Sequence, residues 1–398
     1  MTRRDALQLF AGATTMAAPP LRRATALPAV DAFRIEFDAR ASWDLKQRLR
    51  SARWADAVTG DWMYGMQPAF LRRFIAYWAD EYRWESRVRA LNNLPHYRTG
   101  IGGFGLHFLH FRSQRRNAMP LLLMNGWPSS FVEYLHLAPI LAKGNPAFHV
   151  VVPALPGFGY SDKPTRPYEV EPADLYPSLM QRLGYDRFLV AGTDIGAGVA
   201  TRIALRHGRS VIGAHLSAVA ERPRRPGDPP PSENELAYAR RDARWDRDEG
   251  GYQALQSSKP QTLAFALADS PVGLASWILE KFHGWSDCGD DPSTVFPMCM
   301  LADNLTIYWM TNSIGSSVRY YYDATRLRPP LRQNDFVDAP TAIAIWPKDL
   351  NVAPRELAER LYNVRRYTLF ARGGHFPAWE QPELYASDLR DFAAGLKA

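Results

Sequence analysis

The chain has 398 residues, 46% of them hydrophobic and 22% charged, which is the balance of a soluble globular protein with a large core. Its net charge of +7 does not indicate nucleic-acid binding, because the arginines cluster near the N-terminus and in one polar stretch without any nucleic-acid motif. Two cysteines exclude a disulfide framework but leave open a single Cys288–Cys299 pair, and no zinc-ligand spacing or other motif predicts a metal or cofactor.

The first 30 residues resemble an export signal. Arg3 and Arg4 fit a twin-arginine pattern, an apolar run follows at 9–18, and small residues at 24–26 offer a cleavage site. Export to the periplasm or medium is therefore predicted, with a disordered tail on a cytoplasmic protein as the alternative. No segment has 18 consecutive apolar residues, so no integral membrane span is predicted.

Residues 31–100 are predicted to form a mostly helical, aromatic-rich N-terminal region. In the next segment, 101–220, short apolar runs bounded by glycine and proline predict buried strands that alternate with helices. This alternation predicts an α/β fold with a mostly parallel, doubly wound sheet whose functional site lies at the carboxyl ends of the strands. The predicted elements are strands at 104–110, 121–124, 150–152 and 188–191, and a helix at 197–206.

The strand pattern then stops and resumes only near the C-terminus. Residues 221–335 are first polar and arginine-rich, then helical and aromatic, and are predicted to form a cap inserted over the site. Strands at 342–346 and 366–370 return the chain to the sheet within a second core segment, 336–398. The large number of aromatic residues fits an aromatic-lined pocket, although most such residues serve simply as core.

The strongest local motif is a glycine-flanked bend at 190–198 with Asp194 at its centre. A buried strand enters the bend and a helix leaves it, as in the nucleophile elbow of α/β hydrolases, where a serine usually stands. The alternative is an aspartate that caps the helix. A carboxylate that attacks a saturated carbon forms an ester, which water can cleave, whereas a serine would form a stable ether. Asp194 therefore predicts attack on an epoxide or an alkyl halide.

Such an ester needs a base that activates water, and His375 is the predicted base. It lies in a loop after a predicted strand and is the only histidine after residue 283, although a packed loop histidine is the alternative. Asp349, at the end of the preceding strand, is predicted to orient it, with Glu356 as the second choice. The backbone N–H groups of Trp127 and Ile195 are predicted to form an oxyanion hole, since a Gly-x-Pro turn follows the strand at 121–124.

Several motifs spread over 33–393 match one known family. They include 44–45, 53–54, 62–65, 107–110, 153–161, 269–275 and 278–282. By these motifs the chain resembles the microsomal-type epoxide hydrolases, members of the α/β-hydrolase superfamily that include the juvenile-hormone epoxide hydrolases of insects. The resemblance implies an α/β-hydrolase fold with a helical N-terminal extension and a helical cap, and no cofactor.

The resemblance also implies two cap tyrosines that donate hydrogen bonds to the epoxide oxygen, and these map to Tyr252 and Tyr321. Tyr321 is the middle one of three consecutive tyrosines, so its neighbours compete for the assignment. The chain departs from the family at Asn125, where the family usually has histidine, and this affects the geometry of the oxyanion loop.

The predicted reaction converts a lipophilic epoxide and water to a vicinal diol through an ester on Asp194. A haloalkane dehalogenase would use the same chemistry, but those enzymes usually have tryptophan after the nucleophile, where this chain has Ile195. A non-catalytic binder of hydrophobic ligands is the alternative outside the enzymes. The sequence leaves open the natural epoxide, its enantiomer and whether the chain forms a homo-oligomer.

Overall fold

The structure is a computed structural model that describes residues 29–396. Of the predicted export signal at 1–30, only the last two residues fall within this range. The signal therefore lies essentially outside the described residues, and export stays a prediction.

Within the described residues, nine strands form one sheet in the order β1-β2-β3-β5-β4-β6-β7-β8-β9. The strands are β1 (Asp31–Ala32), β2 (His96–Ile101), β3 (Phe104–Phe111), β4 (Met119–Met124), β5 (Phe148–Pro153), β6 (Phe188–Gly192), β7 (Val211–Leu216), β8 (Val337–Ile345) and β9 (Tyr362–Leu369). Strands β4 to β9 are mutually parallel, whereas β1, β2 and β3 add to the edge at β5 in antiparallel fashion. The predicted mostly parallel α/β sheet is confirmed.

The apolar runs that predicted strands occupy the centre of this sheet. Leu122 of β4 lies opposite Val151 of β5 on one side and Val190 of β6 on the other. All five residues of β6 are buried, because helices cover both faces of the sheet here. Strand β2, which lies between the two-residue strand β1 and β3, instead mixes buried and partly exposed residues and so carries a much weaker sequence signal.

Helices belong to four segments of the chain. The N-terminal region has α1 (Ala39–Arg50), α2 (Pro68–Ala76) and α3 (Trp84–Leu91), and the first core segment has α4 (Leu137–Lys143), α5 (Pro172–Arg182) and α6 (Asp194–Arg206). Between β7 and β8 lie α7 (Glu233–Asp248), α8 (Gly251–Ser258), α9 (Pro260–Asp269), α10 (Pro271–Gly284), α11 (Met298–Met310) and α12 (Ile314–Tyr322). The second core segment has α13 (Arg355–Ala358), α14 (Pro377–Glu380) and α15 (Pro382–Ala394).

Local signals set where several of these helices begin. Proline occupies the start of α2, α5, α9, α10 and α15, where its missing N–H costs no helical hydrogen bond. A capping box starts α7, since the Ser232 side chain accepts from the Glu235 N–H and the Glu235 side chain accepts from the Ser232 N–H. Helices α7 to α12 form the cap and rest on the loops that follow the parallel strands.

The N-terminal region packs against the cap, and its aromatic residues mediate much of that contact. The Tyr82 hydroxyl donates to Asp303 Oδ1 at 2.7 Å, and Arg87 pairs with the same fully buried carboxylate through two nitrogens. Trp78 donates to Thr306 at 2.9 Å. These partners satisfy the buried carboxylate and tie the segment from Trp78 to Arg87 to α11.

Among residues 29–396, no single helix is long and apolar enough to cross a bilayer. Helices α9 and α10 meet that test only when taken together, across a bend of 117°. Each has part of its surface buried against its neighbours in the cap.

Both cysteines are free thiols. Cys288 is buried in the loop after α10, and Cys299 lies half-buried at the start of α11. The pairing that the sequence leaves open is therefore not made, and packing and hydrogen bonds hold the described part of the cap.

Candidate active site

Asp194 lies at the sharp bend between β6 and α6 with a backbone φ of +50°, a conformation that is strained for any residue with a side chain. The flanking glycines make the bend possible. A Cβ on Gly192 would lie 2.4 Å from the Gly196 carbonyl carbon, and one on Gly196 would lie 2.1 Å from the Met124 oxygen. Thr193 occupies the helix cap position, so the structure does not support a capping role for Asp194. The bend presents its carboxylate to the loops beyond the sheet.

His375 lies between two carboxylates in the loop after β9. Its Nδ1 is 2.7 Å from Asp349 Oδ1, and its Nε2 is 3.2 Å from Asp194 Oδ2. The second contact has ion-pair distance but is not aligned as a hydrogen bond, so Nε2 lacks a hydrogen-bond partner within the described chain. The structure therefore brings together the predicted nucleophile, base and orienting acid, with one ring nitrogen available to a water molecule.

The loop after β8 holds Asp349 in place. Its Oδ1 also accepts from the Leu350 N–H at 2.6 Å, and its backbone oxygen accepts from Arg241 of α7 at 2.9 Å. The alternative acid, Glu356, lies elsewhere and accepts from Ser232 at 2.7 Å and from Asn234 at 3.0 Å. The geometry selects Asp349 as the partner of His375.

The charges around His375 determine its protonation. Burial alone would lower its pKa, but the carboxylates of Asp349 and Asp194 outweigh that effect and raise the pKa of His375 well above the usual value. The two carboxylates therefore favour the protonated form of His375 in the resting protein. Conversion of Asp194 to a neutral ester would remove one of the two carboxylates and lower the pKa of His375, so that it becomes available as a base.

The loop after β4 faces Asp194 through a backbone N–H. The Trp127 N–H donates to Asp194 Oδ1 at 2.9 Å, and a Cβ on Gly126 would lie only 1.9 Å from the same oxygen. Ile195 is the second residue of α6, so its N–H belongs to the first turn, where helical N–H groups have no partner within the helix. The Trp127 N–H thus contacts the carboxylate directly, and the Ile195 N–H stays a predicted donor at the start of α6.

Asn125, where the chain departs from the family pattern, points its amide into this loop. Its Nδ2 donates to the Gly126 oxygen at 3.1 Å and to Ser129 Oγ at 3.0 Å. Ser129 in turn donates to Glu133, a fully buried carboxyl that sequence reasoning missed. Burial raises the pKa of Glu133 to about 7. These groups give the loop an internal polar support that does not need the family's histidine.

Cap residues also hold the same loop, and the sequence did not predict them. Asn304 of α11 donates to the Pro128 oxygen at 2.9 Å, and the Tyr308 hydroxyl donates to the Ser129 oxygen at 3.1 Å. Both side chains are buried. Asn304 and Tyr308 are four positions apart and so lie on the same face of α11, and this spacing is the sequence signal that could have identified them.

The two predicted tyrosines converge on Trp127. The Tyr252 ring stacks on Trp127 with centroids 5.5 Å apart, and Tyr321 meets both rings edge-on at 5.9 Å. The residues on either side of Tyr321 point elsewhere, since Tyr320 contacts Phe158 and Tyr322 lies beneath the Arg326 guanidinium. Burial and the Asp194 carboxylate raise the pKa of Tyr252, so its phenol stays protonated and able to donate.

Trp285, just after α10, completes the aromatic wall and was also missed. Its ring centroid lies 4.8 Å from that of Tyr252 and 5.2 Å from that of His375. Its backbone oxygen accepts from the His375 N–H at 2.7 Å. One residue therefore contacts both halves of the site, and the wall it belongs to favours an apolar ligand.

Comparison with known protein families matches nearly the whole described chain. A model described as epoxide hydrolase N terminus matches residues 30–134, and one described as alpha/beta hydrolase family matches residues 121–388. A Stigmatella aurantiaca protein, whose name assigns it provisionally to the epoxide hydrolases, is 39% identical over 92% of this chain and 85% of its own. Epoxide hydrolase 1 of Sus scrofa is 31% identical over 90% of this chain and 87% of its own.

Solved structures give the same result. The juvenile hormone epoxide hydrolase of the silkworm Bombyx mori superposes with a TM-score of 0.84 at 29% identity, over 92% of this chain and 94% of that one. The Aspergillus niger epoxide hydrolase superposes with a TM-score of 0.81 at 27% identity, over 93% of this chain and 97% of that one. Sheet, cap and N-terminal region are therefore shared as one arrangement.

Proposed function

This chain belongs to the epoxide hydrolases of the α/β-hydrolase family, and we propose on that basis that it converts a lipophilic epoxide and water to a vicinal diol through an ester on Asp194. The observation that carries the proposal is the contact of one carboxylate with both a histidine and a backbone donor. Asp194 Oδ2 lies 3.2 Å from His375 Nε2, while its Oδ1 accepts from the Trp127 N–H at 2.9 Å.

In the first step a carboxylate oxygen of Asp194 attacks an epoxide carbon. The bond from that carbon to the epoxide oxygen breaks, and the oxygen takes a proton from Tyr252 or Tyr321. An alkoxide is a poor leaving group, so a phenol that donates to it supplies much of the acceleration. The aromatic wall of Trp127, Tyr252 and Trp285 accounts for a lipophilic substrate.

In the second step His375 takes a proton from water, and the resulting hydroxide attacks the carbonyl carbon of the ester. The Trp127 and Ile195 N–H groups stabilise the oxyanion that forms. Collapse of this intermediate expels the second diol oxygen, which takes the proton of the newly formed carboxylic acid and so restores the Asp194 carboxylate. The phenolate left by the first step regains its proton from the imidazolium, directly or through solvent. Asp349 holds the imidazole in the correct orientation and balances its charge throughout.

A single turnover in water enriched in ¹⁸O tests the covalent step. Water attacks the carbonyl carbon, so we expect one label in the peptide that contains Asp194 and none in the diol from the first turnover. Mass spectrometry of the digested protein measures both, and the peptide that contains Asp349 serves as the unlabelled control. Label in the diol alone would overturn the ester mechanism.

Substitution of the nucleophile provides an independent test. Asp194→Ala should abolish diol formation from styrene oxide while leaving the thermal unfolding temperature close to that of the native protein. Release of halide from haloalkanes by the native protein, with no diol formed from styrene oxide, would point to a dehalogenase instead. Unchanged diol formation by Asp194→Ala would contradict the proposal.

A further inference from the structure

Lys281 of α10 is a buried cation beside the site. It is only 7% exposed, and its Nζ lies 5.1 Å from the centroid of the Tyr252 ring and 5.8 Å from that of Trp285. Its counter-ion is the adjacent Glu280, which is itself more exposed to solvent. The positive end of this pair is therefore the one directed at the tyrosine.

The ion pair with Glu280 explains how a buried charge on Lys281 is tolerated. It does not explain why the ammonium group lies against the aromatic rings of the site. A buried ammonium needs a partner, and one carboxylate beside it meets that need. Lysines normally extend their ammonium groups towards water, whereas this one lies against two aromatic faces of the site. A second carboxylate, that of Glu249, lies close to the Lys281–Glu280 pair and near Gly284.

We propose that Lys281 is a positioning residue for epoxide opening, in which its charge stabilises the negative charge that reaches Tyr252 as the epoxide ring opens. This rests on the proposed function. In the resting site the negative charge is on Asp194. When its carboxylate becomes a neutral ester, that charge moves to the epoxide oxygen, and transfer of the phenolic proton places it on the tyrosine.

A cation on the Tyr252 side of the site interacts with the transition state more strongly than with the resting state, because the negative charge approaches it during the step. Only such differential stabilisation accelerates a reaction. Water attack on the ester takes place at Asp194 and His375, whereas the aromatic rings that Lys281 contacts are those of Tyr252 and Trp285. Lys281 should therefore affect formation of the ester and leave its hydrolysis unchanged.

The experiment is a rapid-quench single turnover with protein in excess over styrene oxide. Mass spectrometry of the Asp194 peptide follows formation and decay of the ester. Lys281→Met should slow ester formation about tenfold, the scale of a desolvated cation–π contact, with the rate of ester decay unchanged. Lys281→Arg should recover most of the loss because it keeps the charge.

Two matched variants separate charge from packing. Glu280→Gln keeps the cation and should form the ester at least as fast as the native protein. Glu280→Gln combined with Lys281→Met removes the whole pair, leaves no unpaired charge, and should be as slow as Lys281→Met alone. Ester formation that is unaffected by Lys281→Met, or slowed equally by Glu280→Gln, would overturn the inference. Failure of the native protein to form any ester would instead overturn the proposed function.

Discussion

The nucleophile elbow and the tyrosine pair contribute to the same site but are built in different ways. Asp194 is placed by its immediate neighbours, since two glycines and a strand end set a φ of +50° over a few residues. Tyr252 and Tyr321 lie on different helices and meet through packing against each other and against Trp127. One half of the chemistry is thus encoded locally, and the other half depends on contacts between distant segments.

This difference predicts how the elbow and the tyrosine pair each respond to mutation. A local turn has few ways to compensate for a wrong side chain, so its failures should be large and confined to the chemistry. A packed pair of rings shares its task between two residues, so single losses should be smaller. The predictions below test this contrast, in order of decreasing effect.

The largest effect is expected from Asp349→Asn, within the half that local loops position. The variant keeps the shape but removes a carboxylate that raises the pKa of His375, and it permits the wrong imidazole tautomer. Ester hydrolysis should fall about 10⁴-fold while ester formation continues, so the ester should accumulate. Glu356→Gln is the matched control and should hydrolyse the ester within about twofold of the native rate, because Glu356 contacts Ser232 rather than His375.

A methyl group placed against the elbow should have the next largest effect. In Gly126→Ala the new Cβ would lie 1.9 Å from Asp194 Oδ1 and must displace the carboxylate. A displacement of this kind costs about 10²-fold in rate, so ester formation should fall by at least that amount. Gly198→Ala in α6 meets nothing within 4 Å and should keep its activity. Equal activity of the two variants would contradict the close fit of the Asp194 carboxylate against the loop after β4.

For the packed half, Tyr252→Phe and Tyr321→Phe should each slow ester formation about tenfold, since the other phenol remains. The double variant should lose most of the contribution of the acid, about 10²- to 10⁴-fold. Ester decay in stopped single turnovers should not change. Tyr322→Phe, in the same helix but beneath Arg326, is the control. A single variant as slow as the double one would show that the two phenols do not share the task.

A further effect, outside the chemistry, concerns acid stability at the antiparallel side of the sheet. Burial lowers the pKa of His96 and of His110 to about 4. The unfolded chain binds these protons below about pH 6.5 and the folded chain does not until about pH 4, so the free energy of unfolding should fall as the pH drops through that window. Urea unfolding from pH 7 to pH 4 measures the slope.

Each of these histidines contributes about 3 kcal/mol at most to that loss. His110→Gln, which can still bond to the Tyr185 hydroxyl, should flatten the slope by the share of one histidine. The exposed His136, replaced by glutamine, should leave the slope as it is. An unchanged slope in His110→Gln would show that His110 is not charged on unfolding in this window.

The sequence predicted those parts of the fold that carry a continuous local signal. The predicted strands at 121–124, 150–152 and 188–191 fall within β4, β5 and β6, which are buried on both faces. Strand β2 was placed in a region predicted to be mostly helical, because a partly exposed strand of mixed polarity has no apolar run. Strand β7 was not predicted either, since glycine, alanine and histidine occupy half of its six positions.

The residues of the candidate site divide in the same way, into those that a local motif predicts and those that it does not. Asp194 and His375 follow from a motif and from elimination among a few histidines, and the structure places them 3.2 Å apart. The tyrosines came only from family resemblance, because helical spacing does not show which of three consecutive rings faces Trp127. The residues that were missed, Trp285 and Asn304, act through contacts between segments far apart in the chain, which no local pattern records.

Residues of the cap form hydrogen bonds to each of the three loops that hold Trp127, Asp349 and His375. Asn304 bonds to the loop of Trp127, Arg241 to the loop of Asp349, and the Trp285 oxygen to the backbone of His375. A lid that swung away as a rigid body would break these bonds and dismantle the triad. We therefore expect substrate to enter through movements of side chains, and we expect a chimera that exchanges caps between relatives to keep more activity when all three hydrogen bonds are transplanted with the cap.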